Sequence, residues 1–275
     1  DKYIQKEKTQ NNSNQNRNYN ENNNEEQKRS KAQQYIRILY SLKGFELFHD
    51  SNKAAWVTCP VKGHQETFKI KSKDFRVYVN GVIYKLTGKP ITKNIMEQLL
   101  AILEAECIYI GNQHKVFIRV GIKDNDLYYD LGSQYVKITS AGWSLVDEIQ
   151  IKFARPRYFN DQVVPERCED IFKLLTFVNI TDSNEQLLFI AFIVTSFIQN
   201  IPHPILAVSG CMGSAKSSLL RFVQAIIDPS NVPDIEFRDT RNFVISASNR
   251  WLLPLDNLSG INGTQSNILC KAVTG

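Results

Sequence analysis

Eight residues, Gly210-Cys211-Met212-Gly213-Ser214-Ala215-Lys216-Ser217, stand between an apolar run (Ile205–Val208) and an amphipathic pattern that opens at Lys216. A glycine-rich turn at such a junction aims successive backbone N–H groups inward and forms an anion nest. The positive end of the following helix dipole adds to it. A strand, this turn and a helix make the context that a phosphate-binding loop requires. Lys216 supplies a mobile ammonium for the β- and γ-phosphates, and Ser217 a hydroxyl for Mg²⁺. Ser218 completes the binding stretch. Ala215 occupies the position before the lysine where glycine is usual, and its methyl is tolerated if φ stays negative there. The competing account is a glycine turn with an exposed lysine.

Such a loop needs a second anchor for the metal, an aspartate at the end of a neighbouring apolar strand. Trp251-Leu252-Leu253-Pro254-Leu255-Asp256-Asn257 offers one. Asp256 holds Mg²⁺, through water, in this reading; otherwise it is an ordinary strand-end turn residue. Pro254 removes a ladder N–H and is unusual in a central strand. Asn257 falls where many ATPases place the carboxylate that activates the attacking water. An amide orients a water but does not accept its proton. Lys216, Asp256 and Asn257 are thus the candidate catalytic set.

The surrounding pattern has to position these groups. From residue 166, helices are expected over 167–178, 183–199 and 216–227, near 239–247, and from about Thr264. Strands are expected at Ile205–Val208, Ile235–Phe237 and Trp251–Leu255. This alternation implies a parallel sheet with covered faces. Pro156 and Pro165 bound a linker over 155–165, so the loop belongs to a domain spanning 155–275.

Residues 35–154 read as a smaller, basic α+β domain. Short strands are expected at Phe45–Phe48, Ala54–Thr58 and Glu66–Ile70, then a helix over Asp74–Leu86, broken by Gly88-Lys89-Pro90. A second helix, capped by Thr92, runs to about Glu106. Strand-like runs follow at Ile108–Ile110, Val116–Ile122, Leu127–Leu131, Tyr135–Ile138 and Trp143–Val146. A helix–turn–helix with a β-ribbon is the outline of a winged helix, shared by many α+β domains. Residues 62–93 hold eight Lys or Arg against Glu66 and Asp74. Interleaved Phe68, Phe75, Tyr78 and Tyr84 could stack on single-stranded bases while the cations contact phosphates. The same pattern also fits a solvated lysine face over a core.

Fifteen of residues 1–34 are Asn or Gln, too polar to offset ordering entropy, so this segment reads as a disordered tail. Net charge is +5, which by itself implies no nucleic acid. The five cysteines form no C-x-x-C pair or His/Cys cluster, against a disulfide scaffold or structural zinc and in favour of a reducing, cytoplasmic setting. His49, His64, His114 and His203 are too dispersed for a metal site. The most apolar stretch, Leu187–Phe197, is too short to span a bilayer. The first residue is not Met and the last ones fall at a helix end, so a fragment is expected.

Taken together, Gly210–Ser217 and Leu252–Leu258 resemble the phage-, plasmid- and prophage-type P-loop ATPases related to superfamily-3 and primase-associated replicative DNA helicases. The resemblance covers roughly residues 45–275. Ala215 looks like a family trait, and Asp256-Asn257-Leu258-Ser259 like the second ATPase motif. Arg238-Asp239-x-Arg241 ahead of Ala247-Ser248-Asn249, and Asn267–Cys270 through Gly275, look like further family segments. The resemblance implies an α/β P-loop NTPase fold of the ASCE or AAA+ kind, ATP with Mg²⁺, ring assembly, single-stranded or forked DNA, replication partners such as a primase, and a role in mobile-element replication. Sensor and arginine-finger residues would lie beyond Gly275, with Arg238 and Arg241 candidates only for contacts near the nucleotide or a subunit interface. The alternative function is a nucleotide-operated switch with little turnover. A small-molecule kinase lacks a recognisable acceptor site or lid.

Overall fold

The structure, a computed structural model, describes residues 30–168, 170–232, 239–256, 258 and 260–274. Most of the expected tail, the strand Ile235–Phe237, Arg238, Asn257, Ser259 and Gly275 lie outside these residues. The chain has mixed α/β content and divides into two units, residues up to 61 with 68–113, and residues 62–67 with 114–275. The division therefore falls near residue 113, not at the proline linker over 155–165. The β-ribbon goes with the glycine-rich loop.

In the first unit, α1 (Lys31–Tyr40) is opened by Ser30 and Gln33 in a reciprocal capping box, so the last residues assigned to the tail are helical. Strand β1 (Glu46–His49) pairs antiparallel with β2 (Ala55–Val61), and parallel with β4 (Asn112–Gln113). Strand β3 (His64–Lys69) spans the division. Helix α2 (Lys73–Thr87) starts at Ser72 and stops at Gly88, which is left-handed (φ 69°). Helix α3 (Lys93–Tyr109) absorbs the strand expected at Ile108–Ile110, because Cys107 buries on the same stripe as Leu99, Leu100 and Leu103. Thr92 precedes it without a side-chain cap.

In the second unit, β6 (Val120–Lys123), β7 (Asp126–Asp130), β8 (Tyr135–Thr139) and β9 (Gly142–Val146) form an antiparallel meander. Asp124 and Asn125 turn β6 into β7 with φ of 53° and 67°, a two-residue loop that suits the strand twist. Strands β5 (Val116–Phe117) and β10 (Lys152–Phe153) pair parallel. The single strand expected over 116–122 is broken because Arg119 takes φ 58° between β5 and β6.

A 3₁₀ helix (Ile171–Phe177) replaces the α-helix expected over 167–178. Then come α4 (Ser183–Thr195), α5 (Lys216–Ile227), α6 (Thr240–Ala247) and α7 (Gly263–Thr274). Phe189, Ile190 and Ile193 of α4 bury against Val223 and Ile227 of α5. Among the described residues, neither 205–208 nor 251–255 forms a strand. Pro254 removes a ladder donor from the second run, and Ile205 in the first is 56% exposed.

Candidate phosphate-binding site

Leu219, Phe222, Val223, Ile226 and Ile227 recur at helical spacing and seat α5 on the α4 core. That seat fixes the helix whose first residue is Lys216. The preceding turn closes through Ser214 N–H donating to Cys211 O (3.2 Å). Gly213 sits at φ 82°, where side chains are disfavoured. At Gly210 an added Cβ would come within 2.6 Å of Ser214 Oγ. Both glycines are thus required by the loop's shape.

Ala215 overturns one expectation. Its φ is +63° and ψ 22°, left-handed, not negative. As N-cap of α5 it takes a conformation that the methyl opposes by roughly 1–2 kcal/mol. Helices α1, α2, α4 and α6 each have a Ser or Asp side chain capping their first N–H groups, whereas α5, like α3, has no side-chain cap. The open donors of its first turn are the groups that an anion would satisfy.

Lys216 Nζ donates to Gly210 O and Cys211 O, both at 2.8 Å, so the ammonium is held against the loop it follows. Ser217 Oγ donates to Asp256 Oδ2 at 2.8 Å, across 39 residues of sequence. The structure therefore brings together Lys216, Ser217 and Asp256. Cys211, Met212, Gly213, Ser214 and Ser218 are exposed around them.

A hydroxyl and a carboxylate are hard oxygen donors of the kind Mg²⁺ takes. No cluster of three or more His, Cys, Asp or Glu exists among the described residues. Ser217 and Asp256 are the residues that would hold a Mg²⁺ ion. A mostly apolar cavity of about 890 Å³ adjoins the site, with Lys216 and Asp256 among the residues of its wall.

Several supporting residues carry no motif. Arg119, wholly buried, donates Nε to Asp228 Oδ1 (3.0 Å), Nη1 to Asp130 O (2.9 Å) and Nη2 to Asn160 O (2.8 Å) and Pro229 O (3.0 Å). Asp130 in turn takes Arg155 Nε and Nη2, each at 2.8 Å. Burial works against the Arg155 charge, but the hydrogen bond and charge of Asp130 outweigh it and raise its pKa. Tyr129 Oη donates to Ile227 O (3.0 Å), and burial pushes its pKa up to about 12. The available signal was a charge, Arg119, inside an otherwise apolar run.

The aromatic residues of 62–93 fall mostly inside. Phe75 is buried, and Tyr78 stacks with both Phe75 and Phe68 in the first unit's core. Tyr84 alone of the four is exposed, at 59%. Arg76 pairs with Glu97 and Lys71 with Glu104. Arg241 is exposed on α6, apart from the contacts just described.

Residues 171–275 match the family described as Actinomycete integrative conjugative element replication protein. The match covers less than half of the chain and indicates a role in mobile-element replication. No curated protein and no solved structure matches. No helix among the described residues is long and apolar enough to cross a membrane.

Proposed function

We propose that the second unit is an ATP-binding P-loop ATPase, and that the chain is the motor core of a mobile-element replicative DNA helicase. The observation that carries this reading is the hydrogen bond between Ser217 and Asp256, at the open end of a helix whose first residue is Lys216. Two residues far apart in sequence meet, a hydroxyl and a carboxylate of the kind that would hold the Mg²⁺ of a triphosphate. Lys216 balances phosphate charge as a point cation, and the amides of the loop and first turn of α5 hold the oxygens. The bound Mg²⁺ would neutralise charge developing on the transferred phosphoryl group. Ser217 and Asp256 orient it, and Asn257 positions water without removing its proton. The family match to replication proteins supports DNA as the partner.

The amide at Asn257 favours a second reading, a nucleotide-operated switch with little turnover. Steady-state ATP hydrolysis with and without single-stranded DNA separates the two. Turnover that rises with DNA supports the motor; tight nucleotide binding without turnover supports the switch. Contacts from Lys73, Lys85, Lys89 and Lys93, all exposed, would make oligonucleotide affinity fall steeply with salt.

A further inference from the structure

Asp228 ends α5 as its C-cap and is buried. Its two oxygens face different parts of the unit. Oδ1 accepts from Arg119 Nε (3.0 Å), while Oδ2 accepts the backbone N–H groups of Trp251 (3.0 Å) and Leu252 (3.2 Å). The segment from Trp251 to Asp256 is therefore tied to α5 twice, by Asp228 at the helix's end and by Ser217 at its start.

The lengths match closely. Along α5, Ser217 and Asp228 are 11 residues apart, roughly 16 Å at helical rise. From Leu252 to Asp256 the chain has four steps, at most about 14 Å when fully extended. Side chains and hydrogen bonds more than cover the remainder, so this one short segment reaches both ends of the helix.

We propose that Asp228, clamped by Arg119, is a positioning residue that sets where the Asp256 carboxylate stands relative to Ser217. The proposal rests on the nucleotide reading above. Arg119 spends its donors on Asp228 and on carbonyls of residues 130, 160 and 229, and lies 3.6 Å from the Phe159 ring centre. It holds the Asp228 carboxylate in one orientation, which leaves Oδ2 aimed at the two amides. The β-ribbon, through Arg119, thereby reaches the metal end of the site without touching it.

The test uses Asp228→Asn in the full chain, which keeps the shape and removes the charge. Asp228→Glu serves as the second variant, keeping the charge while lengthening the tie. Two readouts are taken. Without nucleotide, amide hydrogen exchange at Trp251 and Leu252 should quicken at least tenfold in Asp228→Asn, with the α4 amides unchanged. With a labelled ATP analogue, affinity in Mg²⁺ should fall about tenfold in both variants, while affinity in EDTA changes less than twofold. Equal losses in Mg²⁺ and EDTA would assign Asp228 a general structural role and overturn the proposal. So would Mg²⁺ affinity that does not change in either variant. If the unaltered chain binds no nucleotide at all, the nucleotide reading itself fails, an outcome distinct from these.

Discussion

Ser217 Oγ and Asp256 Oδ2 lie 2.8 Å apart, although 39 residues separate them in sequence. A serine hydroxyl at the first turn of a helix has many ways to be solvated. Its pairing with a carboxylate from a separate irregular segment makes the two a unit that can hold one hard cation. Asp256→Ala should therefore lower nucleotide affinity about tenfold in Mg²⁺, and little in EDTA. Asn257→Ala should leave binding nearly intact and act on turnover. Titration of a labelled ATP analogue in both conditions checks this; a silent Asp256→Ala would remove the second anchor.

Ala215 holds a left-handed backbone that glycine takes without strain. Ala215→Gly relieves the methyl, although glycine's greater freedom in the unfolded chain offsets part of the gain. The expected net effect is about 0.5–1 kcal/mol of added stability, or a rise in Tm of roughly 2 °C. Calorimetry reads it directly. A fall in Tm would mean that the loop does not hold that conformation in solution.

The thiols report on both units. Cys59 and Cys107 are buried, and burial pushes the Cys107 thiol up to about 11. Cys168, Cys211 and Cys270 are exposed. A thiol reagent at pH 7.5 should label three cysteines quickly and the other two only after denaturation. Mg²⁺–ATP should slow one of the three, Cys211, because a triphosphate bound as proposed would cover the loop that carries it. Mass spectrometry of the labelled peptides identifies the protected site.

Tyr129 gives a pH signature. Its hydroxyl is buried against Ile227 O, and its pKa rises from 10.0 to about 12. The fold thus favours the neutral phenol. The stability this contributes is intact below pH 10 and is lost as pH climbs towards 12. Tyr129→Phe should be less stable than the native chain at pH 8, and the gap should narrow between pH 10 and 12. Parallel melting curves at these pH values test the sign.

The loop and the helix it opens were legible because glycine spacing, an amphipathic repeat and a lysine at the junction are all local signals. Asp256 was legible through the apolar run before it. The strands at 205–208 and 251–255 were misjudged, because apolar content was read as burial: Ile205 is largely exposed, and Pro254 interrupts the second segment. Phe75, Phe68 and Tyr78 looked available to bases because basic neighbours suggested a surface. In the fold, Lys73 and Lys85 lie on the outer face of α2, Phe75 and Tyr78 on its inner face, and Phe68 packs with them from β3. The ties from Arg119 through Asp228 to Trp251 were not legible at all. They join residues 109 and 23 positions apart, and no local pattern encodes such pairings.

The central claim is that the turn ending at Lys216 grips a triphosphate. Equilibrium binding of a labelled ATP analogue in Mg²⁺ to the native chain and to Lys216→Ala tests it most directly, with circular dichroism showing that the variant folds. The account predicts saturable binding to the native chain and a loss of at least a hundredfold in the variant. Equal affinity in the two proteins would contradict it.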